Sequence, residues 1–551
     1  MSGRRSRYRE IVETITRYGW GFVLGAVGPG LRSPFGSGGA DGSRHMTQPE
    51  RVRAMVEELG PTFVKLGQIL STRADLLPPA YVAELAKLQD AATPVPFDAV
   101  RETIRDELGQ GPEQAFSAFD DLPLASASIG QAHAAEIDHV EVVVKVRRPG
   151  AVESVTQDLE ILRELAEIAS RTWAPAREYD VVGLVEEFSE TMRAELDYVK
   201  EARHAERFAE QLAGDPRIHI PRVFWERTTS RVLTLERVRG IKVNDVAALD
   251  AAGIDRKDLA VRSATLLCTM IFEDGFFHAD PHPGNLFVEA DGRIGLIDFG
   301  MVGVIDDGLR EKLVRALVAV TRKDADRLTR ALLDICGQTH PRDRDALRSS
   351  LDGLIRRYAA RPLAEIPTAE LIAGVIAILR THHLRLPREM ALLLKVLVMV
   401  DGLGRQLDAE FDLWGVLTPF IRRLVVESFA PDAVARRLKA ILTDALQFGA
   451  DAPDYLRRAL AILEQGGFDV HVRTEELRPL LTQVERIGNR LVAGTIAAAL
   501  IGGVGRVVAA DSRQYRSWEE PLVRTGFAAL GALGAYLVGS SLRSRGGRTL
   551  R

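Results

Sequence analysis

Cysteine is nearly absent from this chain. Cys268 and Cys336 stand 68 positions apart (336 − 268) in helical surroundings, which argues against a disulfide framework or a cysteine-based zinc site and for a reducing compartment. Lysine is scarce too, since only 10 of the 72 basic residues are lysine and 62 are arginine. A lysine kept at a motif position therefore hints that a small, rotatable ammonium is needed where a planar guanidinium would not serve. An excess of positive charge is also missing: 76 acidic residues leave a net charge of −4, so there is no sign of nucleic-acid binding. No secretory signal is legible, because the first apolar stretch, Trp20 to Val27, is broken by glycines and follows alternating charges. The starting expectation is cytosolic chemistry. With 551 residues, 46% of them hydrophobic and 27% charged, the chain is globular and has room for two or three domains.

Along the chain, Tyr8 to Gly25 reads as a short amphipathic helix and residues 28–46, dense in Gly, Ser and Pro, as a flexible linker. Gln48 to Gln89 is helical, with Val52, Met55, Leu59, Phe63, Leu66 and Leu70 at spacings of three and four; Lys65, Gln68 and Thr72 share another face. From Pro123 the pattern becomes strand: "ASASIGQAHAAEI" and "VEVVVKVRRPG" are joined by a turn at Asp138 and His139. Lys145 lies between valines, either snorkelling from a sheet edge or buried against a counter-ion. Helices are expected over Val152 to Ser170 and Val181 to Leu212, the second carrying Glu195, Asp197 and Glu201 as candidate counter-ions. A strand-turn-strand follows, with its turn at Thr228 to Ser230. After Gly240 the chain is mostly helical, apart from a hairpin turning at Asp291-Gly292. Met390 to Leu403 is apolar but interrupted by Lys395 and Asp401, so it reads as a core helix. Leu491 to Val504 and Thr525 to Leu542 are nearly free of charge. Flanking arginines on both outer sides read as a two-helix membrane hairpin with its ends cytoplasmic, the rival being a packed soluble hairpin.

The densest chemistry is in "FFHADPHPGNLF", residues 276–287. His278, Asp280 and His282 alternate as zinc ligands on a strand would, but Pro281 and Pro283 argue against a strand and no further His cluster completes a site. Phosphoryl transfer explains more of the residues. Asp280 and Asn285 have the five-residue spacing of a kinase catalytic loop, and "DFG" at residues 298–300 follows 13 residues after Asn285, across the hairpin. Lys145, upstream on a valine-rich strand, suits the phosphate-pairing lysine.

Together "FVKLGQ", "ASASIGQAH", "VVVKV", "ELDYVKEA", "FHADPHPGNLFV" and "LIDFG" resemble the UbiB family of atypical kinases, linked to isoprenoid quinone biosynthesis. The resemblance runs from about Pro49 to Leu403. It implies an α+β, protein-kinase-like two-lobed fold with an N-terminal helical extension and a C-terminal apolar helical hairpin. The domains expected are 1–47 (helix and linker), 48–122 (extension), 123–240 (N-lobe), 241–485 (helical C-lobe) and 486–551 (membrane hairpin). By position, Lys65, Gly67 and Gln68 match the family's KxGQ signature, whose helix obstructs protein substrates. Glu195 and Asp197 match its ExD motif. Ala125, Ser126, Ala127 and Ser128 stand where the family has an alanine-rich AAAS loop, with Ser126 a departure that adds a hydroxyl. The implied cofactors are ATP and Mg²⁺. Lys145 would contact the α and β phosphates and pair with Glu201; Asp280 would be the catalytic-loop aspartate; Asn285 and Asp298 would hold Mg²⁺; and Leu235, Glu236, Arg237 and Val238 would form the adenine hinge. The implied partners are membrane lipids, polyprenyl precursors and quinone-biosynthesis enzymes, on the cytoplasmic side of the cell membrane. Rival readings are a small-molecule phosphotransferase of the aminoglycoside or choline kinase type, and a membrane scaffold that binds nucleotide without turnover.

Overall fold

Gly60 and Pro61 divide what the periodicity reads as one helix. The computed structural model describes residues 2–20, 46–88, 92–173, 176–177, 179–337, 343–358 and 368–428. In it α1 (Ser2–Ile15) is followed by α2 (Gln48–Leu59), α3 (Pro61–Thr72) and α4 (Pro79–Leu85). Gly60, at φ 94°, ends α2, and Pro61 opens α3 where its missing N–H costs nothing. Thr47 caps α2 reciprocally with Glu50, a device worth about 1 kcal/mol. Ile11, Val56, Leu59, Phe63, Leu85 and Leu88 bury together against Ile161 of α7 (Ala151–Thr172), so the extension has a core of its own.

A second core lies under the first sheet. α5 (Phe97–Leu108) and the short α6 (Pro112–Ala115) lead into β1 (Ala118–Ser126), β2 (Gly130–Ile137) and β3 (Val140–Arg147). Val100, Ile104 and Phe116 pack on Val142, Val144 and Val146, so α5, expected in the extension, belongs to the sheet domain. β1 escaped the sequence reading because it is an edge strand, mostly exposed, with its register broken around Pro123. The β2–β3 turn falls at Asp138 and His139 as expected, both with positive φ.

The expected long helix over 181–212 is two, α8 (Val181–Glu195) and α9 (Tyr198–Gln211), because Asp197 adopts extended backbone and caps α9 through the Val199 N–H. The expected strand-turn-strand is also divided: β4 (Ile218–His219) joins another sheet, and only β5 (Val232–Glu236) completes the first, in the order β1-β2-β3-β5.

β6 (Ile241–Lys242), α10 (Val246–Ala251) and α11 (Arg256–Thr269) open the helical lobe, followed by β7 (Phe276–His278). β8 (Leu286–Val288) and β9 (Ile294–Leu296) form the expected hairpin, with Gly292 at φ 83° in its turn. β10 (Val302–Val304) pairs with β7. Then come α12 (Asp307–Thr321), α13 (Ala325–Ile335), α14 (Arg344–Tyr358), α15 (Thr368–Thr381), α16 (Arg388–Leu407) and α17 (Leu413–Ser428). A third core joins them with α9: Phe208, Phe276, Phe277 and Phe299 are all buried in it. Among the described residues no helix is long and apolar enough to cross a membrane. The expected apolar segments, Leu491 to Val504 and Thr525 to Leu542, lie outside the described residues, as does nearly all of the expected linker.

Candidate active site

Strand register sets the first part of the site. Ala125, Ala132, Lys145 and Leu233 are successive partners across β1, β2, β3 and β5, so the start of the Ala125 to Ser128 loop lies in the same row as Lys145. The loop is tied back on itself: the Ala127 N–H donates to the Gly130 carbonyl at 2.8 Å. Arg148, which sequence reasoning passed over, donates to the Ala127 carbonyl and to Ser126 Oγ, each at 2.8 Å. The extra hydroxyl of Ser126 is therefore engaged by protein. Ser128 is buried. At Gly130 a Cβ would lie 2.1 Å from the Tyr198 hydroxyl, so only glycine lets α9 come this close to β2.

α9 brings Glu201 to Lys145. Lys145 Nζ lies 2.5 Å from Glu201 Oε1 and 3.5 Å from Asp298 Oδ1. Burial opposes the Lys145 charge, but the two carboxylates outweigh it and hold its pKa above the ordinary lysine value. Asp298 is lowered to about 2, chiefly by Lys145, with Lys65 adding to the effect. Burial raises Glu201, and Lys145 offsets part of that. Asp298 has a φ of 63°, an unfavourable conformation for a non-glycine residue and one that clusters at functional sites. Its neighbour Phe299 is buried against Phe208 of α9, and His204 Nδ1 lies 3.0 Å from the Phe299 carbonyl. His204 thereby ties α9 to the "DFG" turn.

The catalytic-type loop is organised by its histidines. The Asp280 N–H donates to His278 Nδ1 at 3.1 Å, which leaves the proton on Nε2, 3.2 Å from the Ile297 carbonyl. His278 is fully buried, and burial lowers its pKa, so it is a neutral structural ring. His282 Nδ1 accepts the Gly284 N–H at 3.1 Å. Among the described residues no three His, Cys, Asp or Glu side chains form a metal-holding group, which leaves the zinc arrangement without a ligand set. Asn285 Nδ2 donates to the Asp280 carbonyl at 3.1 Å, and the Asn285 carbonyl accepts the N–H of Ile297, the residue before the half-exposed Asp298. An amide oxygen and a carboxylate are hard ligands of the kind Mg²⁺ takes alongside phosphates.

Lys65 reaches this centre from α3, its Nζ 2.8 Å from Glu195 Oε1, with both side chains largely buried. Gly67 and Gln68 do something else. A Cβ on Gly67 would lie 2.3 Å from Leu88 Cδ1, and Gln68 Nε2 donates to the Leu88 carbonyl at 3.3 Å, so these two pack the extension internally. Asp197 is the cap of α9. At the expected hinge, Leu235 and Glu236 pair with Val143 and Val142, and the N–H groups of Glu236 and Arg237 donate to the Arg222 and Glu141 carbonyls. Val238 follows directly, where the chain leaves the sheet, its side chain close to Gly295.

A lysine–glutamate pair across a sheet and helix, a loop aspartate with an asparagine five residues on, and an Asp-Phe-Gly turn define a kinase-type enzyme. Comparison with known proteins agrees. The ABC1 atypical kinase-like domain matches residues 87–332 and the UbiB helical domain matches residues 351–412. The chain is 36% identical over 463 residues to the "Probable protein kinase UbiB" of Xanthomonas campestris pv. campestris (strain B100), covering 82% of this chain and 83% of that one. To the protein of the same name from Xylella fastidiosa (strain M23) it is 34% identical over 459 residues, with the same coverage. The solved complex of Rv3197 with erythromycin from Mycobacterium tuberculosis is 28% identical, at a TM-score of 0.39, covering 61% of this chain and 92% of that one. The chain belongs to the UbiB family of ABC1-type atypical kinases.

Proposed function

We propose that this UbiB-type enzyme binds Mg-ATP in the cleft between sheet and helical lobe and turns it over in support of isoprenoid quinone biosynthesis, at the cytoplasmic face of a membrane. The observation that carries the reading is the meeting of Lys145, Glu201 and Asp298 on three separate elements. Lys145 would hold the α and β phosphates, oriented by Glu201, and the hinge from Leu235 to Val238 would meet adenine. Mg²⁺, held by Asn285 and Asp298, would neutralise phosphate charge. Asp280 would accept the proton of the attacking hydroxyl or water as its oxygen bonds to the terminal phosphorus; the bond to the bridging oxygen breaks and its electron pair leaves on ADP.

The extension supports a restricted acceptor. Lys65 of α3 pairs with Glu195 at 2.8 Å, and a helix held there would obstruct a folded protein substrate as the family's KxGQ helix does. Water or a hydrophobic lipid precursor fits that restriction, and the apolar segments after Leu491 would bring the enzyme to a membrane. The test is Mg²⁺-dependent ATP turnover by the purified full chain, with and without anionic liposomes, for the parent and Asp298→Asn. Turnover raised by liposomes and lost in the variant is expected. Bound nucleotide with no turnover in either protein would favour the scaffold reading. Activity indifferent to liposomes, with phosphate passed to a small soluble alcohol, would favour the small-molecule phosphotransferase.

A further inference from the structure

The loop "DPHPGN", Asp280 to Asn285, contains no lysine or arginine. The backbone of Asp280 is nevertheless held from several sides: its N–H by His278, its carbonyl by the His282 N–H and by Asn285 Nδ2. Its carboxylate has one partner among the described residues, Lys395, whose Nζ lies 2.8 Å from Oδ1. That lysine comes from α16, 115 positions further along the chain. In sequence it looked like an interruption of an apolar helix. In the structure the surrounding turns of α16 are anchored in the core, with Leu392, Leu393 and Val396 all buried, so the ammonium is presented by a rigid support. Ala391 and Leu392 of α16 line a small cavity together with Thr72 of α3 and Met301 beside the "DFG" turn. Lysine is rare in this chain, yet each of three acidic groups around the cleft, Glu195, Glu201 and Asp280, is paired with one: Lys65, Lys145 and Lys395.

We propose that Lys395 is a positioning residue for phosphoryl transfer: its ammonium fixes Asp280 Oδ1 so that Oδ2 faces the attacking oxygen. The UbiB helical domain, on this view, supplies part of the reaction centre as well as packing. An ion pair with one donor–acceptor contact constrains the carboxylate rotation that the backbone bonds leave open. The inference rests on the ATP-turnover reading above.

The test is a double-mutant cycle on the full chain, comparing parent, Lys395→Met, Asp280→Asn and the double variant by kcat and KM for Mg-ATP, with thermal melting of each. Lys395→Met is expected to lower kcat by about 100-fold, the scale of a lost general-base contribution, while KM moves less than about threefold because nucleotide contacts are elsewhere. In the Asp280→Asn background the same change should cost less than about threefold. Equal losses in both backgrounds, or a change confined to KM, would overturn the proposal. If Lys395→Met melts too low to assay, Lys395→Gln, uncharged and one bond too short to reach Asp280 Oδ1 in the same way, should also lose kcat; full kcat in it would be equally fatal. A parent without Mg-ATP turnover would remove the functional reading and this inference with it, whereas an active parent with an active Lys395→Met would remove this inference alone.

Discussion

Asp298 combines a left-handed backbone with a carboxylate held ionised by Lys145, and strained residues of this kind cluster at functional sites. Asparagine tolerates the same backbone conformation. Asp298→Asn should therefore keep the fold, with a melting temperature within a few degrees of the parent, while losing at least about 100-fold in Mg²⁺-dependent turnover. A large drop in melting temperature would show that the residue matters mainly to structure. Lys145 gives a pH test. Its neighbour Asp298 is depressed to about 2 from an ordinary 3.8, so this pair adds stability above about pH 4 that is lost as pH falls toward 2. In Lys145→Met the largest cause of the depression is lost and Glu201 is left buried without its cation. The stability gap between parent and variant, read by thermal melting, should be widest near about pH 6 and should narrow toward about pH 2.5. A gap independent of pH would mean that the lysine acts by packing alone.

Among the elements, α3 is held at both ends. Lys65 ties it to α8 through Glu195, and just beyond its last turn Arg73 forms a paired contact with Asp75, 3.0 Å at each of two bonds. Arg73 also donates to the Leu386 carbonyl, and the Leu386 N–H donates to Asp75 Oδ2, so the end of α3 is joined to the segment leading into α16. Arg73 and Asp75 are both buried. Arg73→Ala would leave Asp75 uncompensated, at a cost of about 3 kcal/mol or more. Chemical denaturation measures that cost, and amide exchange over residues 61–72 should quicken with it. If exchange there is unchanged, Lys65 alone holds α3 in place. Gly130 makes a second test: Gly130→Ala drives a methyl toward the Tyr198 hydroxyl and the Val146 carbonyl, and about 1–3 kcal/mol of destabilisation is expected by the same denaturation measurement.

At the scale of the whole molecule, the compact unit Met1–Arg436 contains every residue of the candidate site. On the proposed function, a chain ended at Arg436 should retain Mg-ATP binding but fail to float with anionic liposomes in a density gradient, while the full chain floats. Flotation of both would transfer membrane contact to the extension or the lobes.

Much of the site was legible because its chemistry is local in sequence. The spacing of Asp280 and Asn285, the "DFG" turn, the β8–β9 hairpin and the valine-rich strand with Lys145 are short-range patterns, dictated by the needs of phosphate and by alternation on a strand. The helix breaks at Gly60 and Asp197 were written in the sequence too, as a Gly-Pro step and a capping aspartate, but the surrounding hydrophobic periodicity masked them. What only the tertiary structure decided are the partners that arrive from far along the chain. Arg148 on the Ala125 to Ser128 loop, His204 on Phe299, Arg73 with Leu386 and Lys395 on Asp280 carry no local signature, because a charged or polar side chain looks solvated until its neighbour across the fold is known. The sequence by itself determined the kinase-type motifs and their order along the chain; the packing of α3, α9 and α16 decided which cation each carboxylate meets, since ion pairs form by distance in space and not by spacing along the chain.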